Sequence, residues 1–373
     1  MIYFDNSSTT KPSAACVAAI DRALTETWGN PSSLHKMGVD AEKELDETRC
    51  AAASVLGCDE REIYFTSGGT EANNTAILGA ARARKKRGHR IVVSAVEHHS
   101  VLECFELLES EGFEVIKIMP ESDGSISEDA ITDAINSDTV LVSIMLVNNE
   151  TGAIFPVRAA RKALDSFGGV GLLHVDAVQA FGKLDASPKR LGADLMSLSG
   201  HKIHGPKGTG ILYKSEGVHI PPHEIGGGQE RNLRSGTESV PLICGLGAAI
   251  KEFDIKGNAE KVGLVNARLR ERLPALGGII NSPDAALPYI LNVSFPTYRS
   301  ETLLHFLEAR EIYVSSGSAC ARGAGSHVLS AMGLSRDRVD SALRLSYSAE
   351  NTVDEADAFC SALGSGLKIL RHR

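Results

Sequence analysis

No stretch of this chain is apolar for long enough to cross a bilayer; its longest hydrophobic runs have the length of a β-strand. The N-terminus, Met1-Ile2-Tyr3-Phe4-Asp5, lacks the basic start and apolar segment of a secretory signal. Cys-x-x-Cys is absent. The seven cysteines (Cys16, Cys50, Cys58, Cys104, Cys244, Cys320 and Cys360) are widely spaced and odd in number. Neither a disulfide framework nor a zinc site is therefore expected, and the pattern suits a reducing compartment. Blocks of positive charge are scarce, and the formal net charge is −8. Only Arg82-Ala83-Arg84-Lys85-Lys86-Arg87 is densely basic. It is closed by Gly88 and reads as the solvated C-terminal end of a helix, which basic residues favour, and not as a nucleic-acid surface. The expectation is a cytoplasmic protein with no membrane, no direct nucleic acid and no metal.

What is present is an ordinary globular composition, 43% hydrophobic and 23% charged over 373 residues. That length fits a large domain and a smaller one. From residue 13 to 245 helical and strand patterns alternate. Helices are expected at 13–26, 41–56 (stopped by Gly57), 71–87, 101–111, 128–136 and 157–167. Strands are expected at 63–65, 91–93, 114–118, 140–146 and 172–175. Such alternation predicts an α/β fold with a mainly parallel sheet covered on both faces. Beyond Pro241 the pattern changes, with helices expected at 261–273, 301–309 and 353–371 and strands at 290–295 and 312–314. These residues, 246–373, are assigned with residues 1–12 to a smaller α+β domain. In such a fold the active site is expected in loops at the C-terminal ends of the strands.

Several of those loops carry reactive residue types. Ser199-Gly200-His201-Lys202-Ile203-His204-Gly205-Pro206-Lys207-Gly208 sets a lysine among glycines, where an amine can condense with an aldehyde; a surface turn with two solvated lysines is the plainer alternative. Asp176 ends a strand. A carboxylate there can keep the ring nitrogen of pyridoxal-5′-phosphate (PLP) protonated, so that the ring accepts electrons, or it can cap a helix. Gln179, three residues on, shares that face if a helical turn follows. In Thr66-Ser67-Gly68-Gly69-Thr70-Glu71-Ala72-Asn73-Asn74 a glycine-rich loop opens a helix, which attracts phosphate, or else Thr70 serves as the cap of a capping box. A second glycine-rich stretch, 226–230, leads into Arg231-Asn232-Leu233-Arg234-Ser235-Gly236-Thr237, whose Arg and Thr side chains suit phosphate or carboxylate. His98 stands between a strand and a helix, where an imidazole can stack on a ring, shuttle a proton or make a single loop hydrogen bond. Cys320 lies in the small, polar, glycine-rich stretch 314–326, with Arg322 nearby to favour the thiolate.

Taken in order, these segments resemble the cysteine desulfurases of the NifS/IscS type within the class V aminotransferase-like PLP enzymes. The resemblance spans nearly the whole chain. It rests on Asp5-Asn6 with Thr9-Thr10, Gly29-Asn30-Pro31-Ser32-Ser33 with His35, Thr66 to Asn74, Glu97-His98, and Val147-Asn148-Asn149-Glu150-Thr151-Gly152. It continues through Val175-Asp176-Ala177 with Gln179, Ser199 to Gly208, Arg234 to Thr237, Ser315 to Cys320 and Arg344-Leu345-Ser346. The resemblance implies the type I fold of PLP-dependent transferases, with Lys202 carrying the cofactor, His98 stacked on its ring, Asp176 at the pyridine nitrogen and Gln179 near the phenolic oxygen. It implies that Gly69, Thr70, Ser199 and His201 hold the phosphate, and that Thr237 reaches it from the second subunit of a homodimer. Asn149, also at the cofactor, and Arg344 bind the substrate carboxylate. Cys320 takes sulfur from L-cysteine as a persulfide, alanine leaves, and the sulfur passes to an acceptor protein, an iron–sulfur scaffold or a thiolation enzyme. A selenocysteine lyase or a class V aminotransferase is the alternative on the same fold. The sequence departs from the family pattern in the short stretch Ala321 to Gly325, at Asn232-Leu233, and at Tyr347-Ser348.

Overall fold

The computed structural model describes residues 1–316 and 325–370. Its strands, in chain order, are β1 (Ile2–Tyr3), β2 (Ile63–Thr66), β3 (Arg90–Ser94), β4 (Glu114–Ile118), β5 (Thr139–Ser143), β6 (Leu172–Asp176), β7 (Leu195–Ser199), β8 (Gly210–Lys214), β9 (Ile279–Ile280), β10 (Ile290–Ser294), β11 (Ile312–Tyr313), β12 (Ser315–Ser316) and β13 (Ala342–Ser346). Strands β2 to β8 form a seven-stranded sheet in the order β2-β8-β7-β6-β5-β3-β4. β3 to β7 are parallel, while β8 runs antiparallel to both of its neighbours. All residues of β5, β6 and β7 are buried, as parallel strands covered by helices on both faces require. The later strands form a four-stranded antiparallel sheet, β12-β13-β10-β9, and β11 pairs with β1.

The expected alternation is realised with small shifts at the ends. The first helix is Ala14–Thr25, started by the Ser13 side chain accepting from Cys16 N–H. Lys36–Leu56 begins earlier than its apolar pattern indicated and stops at Gly57, whose φ of +66° suits glycine. Gly69–Arg84 ends before the basic run does; Arg82 pairs with Glu111 and Lys85 donates to the Glu111 carbonyl. Its cap is Gly68, so Thr70 lies inside the helix and the alternative with Thr70 as cap falls. The reading had no strands at β7, β8 or β13 and no helix at Val240–Lys251. β8 and the helix are nearly uniformly apolar, without alternation or a one-sided stripe, and the alternation of β13 covers only five residues. The helix expected at 261–273 is the centre of Ile255–Ala275, capped by Asp254.

The first residues are bound to the second sheet. Phe4 N–H donates to Tyr313 O, Asn6 N–H to Ser346 O, and Ser346 N–H to Phe4 O. Phe4 is fully buried, with its ring against Tyr347 and Phe359. Removing a buried aromatic side chain leaves a cavity that rigid neighbours do not fill. Phe4→Ala is expected to lower the unfolding free energy by about 3–5 kcal/mol, measured by denaturant titration with the Trp28 and far-ultraviolet signals compared.

Candidate active site

The C-terminal ends of β2, β3, β6 and β7 open onto a cavity of about 450 Å³, a volume suited to a cofactor-sized ligand. Gly69, Thr70, His98, Asn149, Asp176, Gln179, Ser199, His201, Lys202 and Arg344 all line it. Ten residues chosen from separate segments of the sequence therefore meet in one place. Thr237 does not line this cavity and is exposed. Cys320 lies outside the described residues.

Each side chain is aimed by local structure. Asp176 ends β6 and is buried. Its Oδ1 accepts from Val178 N–H at 3.0 Å and its Oδ2 from Asn73 Nδ2 at 2.8 Å. The carboxylate thus turns the chain after the strand and also faces the site. Asn73 donates to Ser100 Oγ as well, at 2.9 Å, tying Asp176 to the start of the helix His99–Ser110. His98 caps that helix by accepting from Ser100 N–H. Burial pushes its pKa down against the pull of Asp176, while Lys202 adds to the lowering. The imidazole is accordingly biased toward its neutral, stacking form.

Lys202 follows β7, and its Nζ donates to the carbonyls of Ser7 at 2.6 Å and Ser8 at 2.7 Å. His201 meets Thr9 Oγ1 at 3.2 Å, and its pKa is lowered to about 4 by burial and by Lys202. Arg344, on β13, is buried; its guanidinium pairs with Asp5 at 2.9 Å and donates to Asn149 O at 3.3 Å and to Ser8 Oγ at 2.5 Å. Asn149 is presented by a turn built on Asn148, whose Oδ1 accepts from the N–H groups of Glu150 and Thr151, both at 2.9 Å.

The sequence reading passed over Ser7 and Ser8, whose contribution is backbone carbonyls without a residue signature. It also passed over His99 and His327, whose rings lie 4.7 Å apart at the cavity; their placement beside His98 and after Ser326 was the available signal. Asn232, where the family pattern has glycine nearby, has φ +65°, a left-handed conformation that asparagine tolerates. The departure at Tyr347 is filled by packing, since its ring is buried and its hydroxyl accepts from Asn266 at 2.8 Å.

The residues present fit PLP. Lys202 supplies an amine and Asp176 a braced carboxylate. Gly68 leaves the start of the helix Gly69–Arg84 without a side-chain cap, so its first N–H groups remain for a phosphate. A Cβ at Gly69 would come within 2.9 Å of Val178, so only glycine lets the loop after β6 close on that start. Asn149 Oδ1, Asn73 Oδ1 and Arg344 Nε are buried without a hydrogen-bond partner, an arrangement that proteins seldom leave except where a ligand or water completes it.

The class V aminotransferase family model matches residues 2–359. The chain belongs to this family, and it uses the family's cofactor, PLP. A cysteine desulfurase, IscS, of Methanosarcina thermophila is 39% identical over 381 residues, spanning 100% of this chain and 93% of the relative. A solved NifS-like protein superposes with a TM-score of 0.94 at 38% identity, over 99% of this chain and 100% of that one. A structure of SspA in complex with cysteine superposes at 0.84 with 33% identity, over 93% and 98%. Within the family the chain is thus a cysteine desulfurase of the NifS/IscS type.

Beneath the site Glu97 is fully buried, with Oε1 accepting from Ser94 Oγ at 2.5 Å and Met145 N–H at 2.7 Å and Oε2 without a partner. Burial raises its pKa from 4.5 to about 8. Between those two values the folded protein binds the proton that the unfolded chain has released, so this residue's contribution to stability declines as pH rises through that window. Glu97→Gln keeps the acceptor oxygen and removes the ionisation. Its unfolding free energy should fall less steeply from pH 5 to pH 8 than that of the wild type, as read from urea titrations at stepped pH.

Proposed function

We propose that the protein converts L-cysteine to L-alanine, holds the released sulfur as a persulfide on Cys320, and passes it to an acceptor protein of iron–sulfur assembly or thiolation in the cytoplasm. The observation that carries this reading is the meeting of Lys202, Asp176, His98 and Arg344 in one cavity, in a chain whose described cysteines are all unsuited to the sulfur chemistry. Burial raises the pKa of Cys16; it pushes those of Cys58, Cys104 and Cys244 up to about 12 and that of Cys360 up to about 11. A hydrogen bond to Glu60 raises that of Cys50. A thiol held protonated is a poor nucleophile, and none of these six lines the cavity. Cys320 is the remaining cysteine. Of the described residues on either side of it in sequence, Ser315 is paired with Arg344, and Gly325 and Ser326 line the cavity.

In this reading Lys202 carries the cofactor and moves the proton at the substrate α-carbon. Bound there, PLP draws electron density from the carbon bearing the substrate amino group. Asp176, braced by Asn73, would keep the ring nitrogen of the bound cofactor protonated, His98 would pack against the ring, Gln179 would serve the phenolic oxygen, and Gly69, Thr70, Ser199 and His201 would hold the phosphate. Arg344 binds the substrate carboxylate with Asn149, since a guanidinium fork matches its two oxygens. Cys320, as thiolate, attacks the substrate sulfur. A sulfur–sulfur bond forms while the carbon–sulfur bond breaks, and its electron pair remains on carbon, which takes a proton and leaves as alanine.

The same reading divides the chain into a large unit, 13–245, and a small one made of 1–12 and 246–373. Support comes from the separate hydrogen-bonding of the two larger sheets. It also makes the protein a homodimer in which Thr237 serves the partner's phosphate site. Thr237 is exposed, and so are the apolar side chains of Trp28, Leu34 and Ile225, at 62%, 98% and 91%.

With L-cysteine and a reductant, the yellow wild-type protein should release alanine and sulfide in equal amounts. Lys202→Ala should be colourless and inactive. Cys320→Ala should stay yellow and lose both products by a factor of a hundred or more, on the order of other lost covalent nucleophiles. Alanine release unchanged in Cys320→Ala would remove the persulfide step and favour a lyase or aminotransferase.

A further inference from the structure

Gln179 is held between partners of opposite kind. Lys183 Nζ donates to its Oε1 at 3.1 Å, and its Nε2 donates to Ser7 O, also at 3.1 Å. A lysine amine offers N–H groups and a carbonyl only accepts, so the amide has one orientation that satisfies both. The same Ser7 carbonyl accepts from Lys202 Nζ at 2.6 Å. Lys183, Gln179, Ser7 and Lys202 therefore form one continuous chain of hydrogen bonds, with the lysine expected to bear the cofactor at its end.

Lys183 is put there by the turn after β6. The turn bonds Lys183 N–H to Ala180 O at 3.0 Å and passes through Gly182 at φ +74°. A Cβ at Gly182 would come within 2.6 Å of the Phe253 ring, so both conformation and space require glycine there. The Lys183 amine then lies 5.7 Å from the centroid of Tyr289 and borders a second cavity of about 220 Å³ that Lys202 also lines. The ionisable groups sharing this space are Lys202, His204, Glu252, Tyr289, Tyr347 and Glu350. Burial and then Lys202 lower the Lys183 pKa to about 7. Charged or neutral, the amine still has N–H to give, so the Gln179 orientation holds on both sides of that value.

We propose that Lys183 is a positioning residue for the Lys202–cofactor linkage, locking the Gln179 amide with its nitrogen toward Ser7 and the active-site cavity. The inference rests on the reading of Lys202 as the cofactor lysine. Without Lys183 only the Ser7 carbonyl opposes a turn of the amide; a turn brings its oxygen inward, and an acceptor facing the linkage favours the linkage's protonated form.

The test is a pH titration of the bound cofactor's visible absorbance in the holoenzyme, beside its melting temperature. In Lys183→Met the midpoint should rise by about half a pH unit or more, the scale of one hydrogen bond gained or lost. Lys183→Arg, which also only donates, should restore the wild-type midpoint. In a Gln179→Ala background Lys183→Met should add no further shift. An unmoved midpoint in Lys183→Met, even with a lower melting temperature, makes the residue structural and overturns the proposal. So does a full shift that persists without Gln179, or one that Lys183→Arg shares. A colourless wild type would instead overturn the cofactor reading, and this inference with it.

Discussion

The N-terminal segment from Phe4 to Thr10 is the constraint on which the site depends. It is hydrogen-bonded to β11 at Tyr313, to the second sheet at Ser346 and, four residues after that bond, to the loop after β7, where Thr10 N–H donates to His201 O. Between these anchor points Asp5 pairs with Arg344, and the carbonyls of Ser7 and Ser8 receive Lys202. A short segment, turned so that Ser8 N–H donates to Asp5 O, thereby fixes the distance between an arginine on one sheet and a lysine after a strand of the other. A substrate that must meet both groups requires such a fixed span, because small misplacements of reacting groups are costly in rate.

Burial does the remaining electrostatic work by deciding which groups carry charge. His174, within β6, sits between Ser143 and Ser197 at 2.8 and 2.9 Å, and burial lowers its pKa to about 3. It is a neutral cross-strand tie joining β5, β6 and β7. Glu150, at the cavity wall, is raised to about 7 by burial and receives the hydroxyl of Ser326 at 2.5 Å. Asp176, two residues beyond His174 on the same strand, has instead two hydrogen-bond donors aimed at its separate oxygens. One strand thus presents a neutral base in the core and a doubly hydrogen-bonded carboxylate at its mouth, and the difference lies in what surrounds each residue.

This explains what the sequence disclosed and what it withheld. Glycine-rich turns announced the loops at Gly68-Gly69 and around Lys202, since only glycine permits the close approaches found there, and the strand–helix alternation announced the parallel sheet. Residues whose side chains line the cavity from strand ends or the loops after them, such as Asp176, His98 and Lys202, were therefore legible as candidates. The carbonyls of Ser7 and Ser8 were not, because any residue supplies a carbonyl. Nor was β13 legible as a strand, being short and carrying a charged residue, Arg344; in the fold that arginine is buried because Asp5, Ser8 and Asn149 satisfy it. β8 was hidden for a different reason. It returns antiparallel immediately after the lysine loop, and no local pattern distinguishes that return from a continued parallel crossover.

The distribution of cysteine follows from the same logic. A thiol packed in a helix against apolar neighbours behaves as a small hydrophobe, and its raised pKa keeps sulfur chemistry out of the core. A desulfurase must make one thiol reactive without exposing the others to the persulfide it forms, since persulfide sulfur exchanges with any accessible thiolate. Cys16, Cys104, Cys244 and Cys360 are buried, and the thiol of Cys50, though exposed, donates a hydrogen bond to Glu60 at 2.7 Å that holds it protonated. Protection of the idle cysteines is thus as much a requirement of the function as activation of the working one. It is met by the packing that stabilises the fold, with no separate device.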